Sequence, residues 1–276
     1  MEASEKLLSA YIHHGHSRVQ GWLSKGAISL ISAVGEIQSR MRLKGHVSEI
    51  GVHHGKLFVL LYLMLRKSEK AVAVDIFENA ELNVDASGKG NKSVFLRNVK
   101  RFSGDTSRLK IIHQSSTQIS HKDIIESVGG TVRLFSVDGG HTAEITYYDL
   151  MTANNSLCEG GVIILDDYFS ESWPEVSEGT NKFFYTNKNN RLTPFLIGGN
   201  KLLFTTGRSY ARRYIDALQN YKLGESHKLS RLFGEPVLCA DFTPPTLRKR
   251  FEQTWLWKYL RKRQAGKLIK TLVYRM

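Results

Sequence analysis

Five carboxylates and one histidine stand where apolar runs end, the positions from which side chains of a folded sheet can reach one ligand. The first run closes on Glu49-Ile50-Gly51-Val52-His53-His54-Gly55 and passes directly into a helix-forming stretch. Strand, glycine turn and helix N-terminus together make a place where backbone N–H groups face a ligand's anionic end. The spacing E-x-G-x-x-x-G differs from the G-x-G-x-x-G that a dinucleotide pyrophosphate needs. Asp75 ends the next run, about 20 residues beyond the glycine turn, where an acid accepts hydrogen bonds from ribose hydroxyls. Turn and acid together point to a nucleoside ligand. The plainer alternative is an ordinary strand-to-helix turn followed by a solvated aspartate.

Two later runs end in Phe135-Ser136-Val137-Asp138-Gly139-Gly140-His141 and Ile164-Leu165-Asp166-Asp167-Tyr168. In an open parallel sheet the carboxyl ends of the strands share one edge, so Asp138, Asp166 and Asp167 are expected to converge beside the nucleoside site. Crowded carboxylates repel unless a cation neutralises them, and oxygen-only ligands select a hard divalent ion such as Mg²⁺. Helix capping is the competing use of such acids, but adjacent Asp166 and Asp167 exceed what a cap needs. His141 follows Asp138 on the same turn, and an imidazole that titrates near neutrality suits a general base. His53 and His54 lack the companions of a zinc site, and no G-x-S-x-G elbow or G-x-x-x-x-G-K-[ST] loop occurs.

The elements that must position these groups read as a βα array. Strands are predicted at 46–52, 71–77, 109–115, 132–138 and 161–166, and helices at 56–66, 93–102, 121–127, 144–157 and 173–185, behind a helical region at 21–42. Near-continuous Val, Ile and Leu in the strands suits burial on both faces. The runs 192–197 and 201–205, joined through Gly198, Gly199 and Asn200, predict a closing hairpin. The segment 79–92 is a polar loop longer than ordinary connections, and such loops tend to be functional or disordered. Beyond it, 209–242 carries one helical pattern (Tyr210, Tyr214, Ala217, Tyr221) and one apolar run at 236–240.

With 276 residues, 41% hydrophobic and 24% charged, the chain fits a globular protein of one large α/β domain, or a domain with an appendage. Its longest wholly apolar run, 57–65, is about half of a bilayer crossing. The leader lacks the basic-then-apolar layout of a secretory signal, and Cys158 and Cys239 are too few for a disulfide framework, so a cytoplasmic protein is expected. Of the +13 net charge, most sits in a tail from Thr243 that holds ten of the 39 basic residues and one of the 26 acids. There Phe251, Trp255, Leu256, Tyr259 and Leu260 recur at helical spacing among Lys and Arg. Such a helix lies on an anionic membrane surface, or packs against the protein or a second copy in a homo-oligomer. Nucleic acid is the weaker partner class, because the basic charge is not spread along the sheet domain.

Over roughly residues 20 to 207 these motifs resemble the class I S-adenosylmethionine-dependent methyltransferases. The resemblance implies that Glu49, Gly51 and Gly55 of E-I-G-V-H-H-G surround the methionine end of the cofactor and that Asp75 of A-V-D-I-F binds its ribose. Gln114, Ser115 and Ser116 match by position the stretch that lies against adenine. The pair V-D-G-G-H-T-A-E and G-G-V-I-I-L-D-D-Y is similar to a branch that includes macrolide-sugar O-methyltransferases and cephalosporin hydroxylase-like proteins. In its metal-dependent members, residues matching Asp138, Asp166 and Asp167 hold Mg²⁺, and one matching His141 takes the acceptor's proton. The resemblance further implies an α/β, Rossmann-like, doubly wound sheet of seven mostly parallel strands, the last antiparallel and formed here by the 192–205 hairpin. The expected layout is a methyltransferase domain at 1–207 with its helical leader at 1–42, an extension at 208–242 and a basic amphipathic tail at 243–276. The expected reaction moves a methyl group from S-adenosylmethionine to a hydroxyl of a small molecule or saccharide. Its rivals are a metal-independent methyltransferase for another acceptor atom and a non-enzymatic, membrane-associated binding module on the same scaffold.

Overall fold

A computed structural model describes residues 3–219, 221 and 227–243, and the predicted tail helix lies outside them. Helices α1 (Ala3–Ala10) and α2 (Lys25–Arg40) lead into five parallel strands: β1 (His46–Ile50), β2 (Ala71–Val74), β3 (Leu109–Ile112), β4 (Val132–Val137) and β5 (Leu157–Asp166). Their connections contain α3 (Lys56–Leu63), α4 (Lys92–Ser103), α5 (His121–Val128) and α6 (Ala143–Ser156). After α7 (Pro174–Thr186) come the hairpin β6 (Leu192–Gly198) and β7 (Lys201–Thr206), then α8 (Arg208–Gln219), β8 (His227–Leu232) and β9 (Glu235–Ala240).

The helices begin where the sequence supplies caps. Ser24 Oγ accepts the Ala27 N–H at 3.0 Å to start α2, Asn91 Oδ1 accepts the Val94 N–H at 2.8 Å to start α4, and Ser120 with Asp123 forms a reciprocal capping box on α5. Helix α3 buries every residue from Leu57 to Leu63 and stops short of the expected 66. Its end tightens as the Leu65 N–H bonds Tyr62 O, and the Arg66 N–H turns to Glu69 Oε2. Strand residues alternate between two apolar cores. Val47, Ala73 and Leu134 face α2, α3 and α8, whereas Val72, Phe135 and Ile163 face α5, α6 and α7.

The strand order is β3-β2-β1-β4-β5-β7-β6-β9-β8, so the sheet of the described residues has nine strands where seven were expected. The predicted hairpin forms, with β7 antiparallel to both β5 and β6. It leaves the far side of β6 as an open edge, and an unpaired row of backbone donors and acceptors recruits another strand. The apolar run 236–240 fills it, with β9 parallel to β6 (Leu196↔Leu238) and β8 antiparallel to β9. Strands β8 and β9 therefore extend the same sheet. None of the described helices is long and apolar enough to cross a membrane.

At the edge where β4 begins, Arg133 is buried at 1% exposure and makes four hydrogen bonds. It donates to both Glu69 oxygens at 2.8 Å, to Gln38 Oε1 at 2.7 Å and to Met64 O at 2.9 Å, tying α2, α3's end and β4 together. Glu69→Ala would leave that guanidinium buried and unpaired. A loss of about 3–5 kcal/mol in urea unfolding is expected, against little change for the exposed Arg40 and Glu36 pair. Equal small effects at both sites would contradict this account.

Candidate active site

The opposite edge, where the parallel strands end, opens into a cavity of about 940 Å³. Its first wall is the turn after β1. Gly51 leaves the strand at φ +82° while its N–H bonds Val74 O, and the Asp138 N–H bonds Ile50 O, so the ends of three strands are zipped at this point. A Cβ on Gly51 would stand 1.6 Å from the Asp138 carbonyl oxygen, a contact only glycine avoids. Asp75 turns toward this bend. Its Oδ2 accepts the His53 N–H at 2.7 Å and its Oδ1 the Phe77 N–H at 2.5 Å. Burial nonetheless holds its pKa above the usual carboxylate range, and these backbone donors oppose that shift. Glu49 is buried beside it, and its Oε2 has no hydrogen-bond partner.

Gln114, Ser115 and Ser116 line the same cavity at the end of β3. Ser115 caps a short 3₁₀ turn through Ser116–Gln118. The expected residues Glu49, Gly51, Asp75, Gln114, Ser115 and Ser116 thus share one wall, whereas Gly55 stands behind it as the left-handed residue that starts α3.

The second wall holds the acids after β4 and β5. Asp138, His141 and Asp167 each offer one donor atom, and the three atoms lie within 4.8 Å of one another. That spacing and the two carboxylates suit a small divalent ion. Asp166 is set aside from this group, because its carboxylate is paired with the buried ammonium of Lys201 and also accepts from Asn200 Nδ2 at 3.3 Å. Asn200 holds Asp167 Oδ1 at 2.7 Å as well. His141 stacks on Trp173 with ring centroids 4.1 Å apart, its Nε2 lies 3.6 Å from Asp167 Oδ2, and its Nδ1 lies 2.8 Å from Asp85 Oδ2.

The charges explain the titration of the group. Burial raises Asp138 well above the usual range; the Asp166 carboxylate adds to this and Lys201 opposes it. Burial alone would lower Lys201, but Asp166 and Asp138 raise it above its ordinary value. Burial would raise Asp85, but hydrogen bonds from Ser87 and His141 bring it down to about 2. For His141, burial is overcome by Asp167 and Asp85, which raise it. The backbone is strained around the same space. Of the seven described non-glycine residues at positive φ, five (His53, Phe77, Ala86, Asp167 and Asn200) line this cavity, the kind of clustering that marks functional sites.

Sequence reading had no signal for Asp85, Lys201 or Trp173. Asp85 sits inside the polar loop 79–92, Lys201 at the tip of the closing hairpin and Trp173 ahead of α7, and only the fold brings them to the acids. A further acid missed by motif, Asp149 of α6, is buried behind Gly139, where a Cβ would meet its Oδ2 at 2.4 Å. Burial pushes Asp149 up to about 7, with Ser116 drawing it down.

The fold and part of the sequence have counterparts among known proteins. Residues 48–168 match the family described as a methyltransferase domain. Among solved structures, the O-methyltransferase NovP is similar at 15% identity and TM-score 0.54, over 67% of this chain and 81% of its own. CalS11, described as a TDP-rhamnose 3'-O-methyltransferase of calicheamicin biosynthesis, is similar at 14% identity and TM-score 0.52, over 74% and 92%. No curated protein matches the sequence. Residues 48–168 thus carry a methyltransferase domain, and the fold is the one these two O-methyltransferases share.

Two measurements check this geometry. Gly51 and Gly129 share nearly the same φ (+82° and +79°), but nothing lies within 4 Å of a Cβ on Gly129. Both alanine variants carry the left-handed strain of about 1–2 kcal/mol, and Gly51→Ala should lose clearly more because it also meets the Asp138 backbone. Equal losses would mean that the turn can open freely. Asp149, whose folded pKa lies above its unfolded one, contributes stability that is full below about pH 4 and lost as pH rises through about 7. Asp149→Asn should remove that dependence, a change in slope of about 1.4 kcal/mol per pH unit within the interval. Parallel pH profiles for variant and wild type would show a carboxyl that stays ionised.

Proposed function

We propose that this chain methylates a hydroxyl of a small molecule or saccharide, with a divalent ion at Asp138 and Asp167 and His141 as general base. The observation that carries the reading is the meeting of Asp138, His141 and Asp167 in the same cavity as the Gly51 turn and Asp75. S-adenosylmethionine, when bound, supplies an electrophilic methyl carbon, so the protein's task is chiefly alignment of the acceptor oxygen with that carbon. The unpartnered Glu49 Oε2 suits the ammonium of the methionine end. Asp75, held by two backbone donors, keeps lone pairs for ribose hydroxyls. Gln114, Ser115 and Ser116 offer the wall for adenine.

A hydroxyl is a weak nucleophile until its proton leaves, and a divalent ion held by Asp138 and Asp167 would supply the Lewis acidity that lowers its pKa. His141 Nε2, facing the acid cluster, takes that proton. Trp22, 79% exposed on the cavity wall, offers an aromatic face to a sugar ring. The O-methylation named for NovP and the sugar nucleotide named for CalS11 support the hydroxyl and saccharide parts of the reading. One observation favours a metal-independent version of the same transfer, since the Lys201 ammonium already neutralises Asp166.

Calorimetric titration with S-adenosylhomocysteine, with and without Mg²⁺, separates these versions. Binding of the product is expected in both, and Asp138→Ala should retain it while methyl transfer falls by roughly 10²-fold or more. Activity that survives EDTA and Asp138→Ala would establish the metal-independent version. Absence of S-adenosylhomocysteine binding would overturn the whole reading.

A further inference from the structure

The loop between β2 and α4 reaches across the cavity to the turn after β4, and one carboxylate makes the connection. Asp85 Oδ2 accepts the His141 backbone N–H at 2.6 Å and faces His141 Nδ1 at 2.8 Å, with the Asp85 side chain only 8% exposed. Its other oxygen accepts the Ser87 N–H at 2.8 Å. The loop is braced from within, because Asn83 Nδ2 donates to Ser87 O at 2.5 Å and to Gly88 O at 3.0 Å. A carboxylate can only accept, so the ring nitrogen within hydrogen-bond reach of one carries the hydrogen: Nδ1 is 2.8 Å from Asp85, whereas Nε2 stands 3.6 Å from Asp167, beyond that reach. A neutral imidazole protonated at Nδ1 has its lone pair on Nε2.

We infer that Asp85 is a positioning residue, which fixes His141 in the Nδ1–H tautomer so that the bare Nε2 is aimed at the acid cluster. The inference rests on the proposed role of His141 as base. The stack on Trp173 fixes the plane of the ring, but stacking tolerates a half-turn of the imidazole about its own bond, and the Asp85 contact selects one of the two orientations. The polar loop 79–92 thereby becomes part of the site: the base is correctly set only when this loop is in place.

Tautomers are read directly by ¹⁵N NMR of the full chain labelled at histidine, at a pH alkaline enough to keep the ring neutral. The His141 signals are assigned by their loss in His141→Gln. Wild type is expected to show Nδ1 protonated and Nε2 bare. Asp85→Ala should lose that signature and show the mixed or Nε2-protonated ring of a free imidazole, and Asp85→Asn, which keeps an acceptor oxygen, should restore it. Calorimetry with S-adenosylhomocysteine on Asp85→Ala should give the wild-type affinity, which excludes unfolding as the cause. An Nε2-protonated or mixed ring in wild type, or a ring unchanged in Asp85→Ala, overturns the inference. Failure of the wider reading has a separate signature, the absence of S-adenosylhomocysteine binding by wild type.

Discussion

The site depends on how four carboxylates at one sheet edge share a single buried ammonium. Glu49, Asp138, Asp166 and Asp167 all feel Lys201, which is 4% exposed and paired directly with Asp166. Buried charge is tolerated only when it is compensated, and one cation cannot compensate four acids. Protonation and a bound cation are the two remaining answers. Asp138 and Glu49 move toward the first, with titration raised by burial and by their neighbours. The second is the answer proposed for Asp138, His141 and Asp167, whose donor atoms lie within 4.8 Å of one another. The same excess of negative charge suits a sulfonium donor and an ammonium group, so the electrostatics of the two walls point one way.

The two edges of the sheet handle charge differently, and the contrast separates structure from chemistry. Arg133 at the start of β4 commits four of its five N–H donors to Glu69, Gln38 and Met64, inside the protein. Glu49 at the end of β1 keeps an unpartnered oxygen, and five strained non-glycine residues gather around the cavity. Such strain persists only where surrounding packing enforces it. Here the two apolar cores on either face of the sheet do so.

Much of this was legible in the chain itself, because the information was local. Alternation of apolar strands with capped helices specified a parallel sheet, parallel sheets place their strand ends together, and Glu49, Gly51, Asp75 and Asp138 stand at those ends. Charge count fixed the basic character of the tail. Strand count was misjudged because β8 and β9 are held by the open edge of β6, a partner far away in sequence, rather than by a pattern of their own.

The tertiary structure alone decided which acid does what. Asp166 and Asp167 are neighbours with the same chemistry, yet the pleat and a left-handed turn at Asp167 send one carboxylate to Lys201 and the other toward His141. Asp85 looked like any polar loop residue until the β2–α4 connection laid it against the β4 turn, 56 positions along the chain. Sequence determined the types of group and the edge on which they stand, since propensity and periodicity act over a few residues. The pairing of charges, and with it the chemistry of each one, belongs to distances of 2.7 to 3.6 Å between segments that only packing brings together.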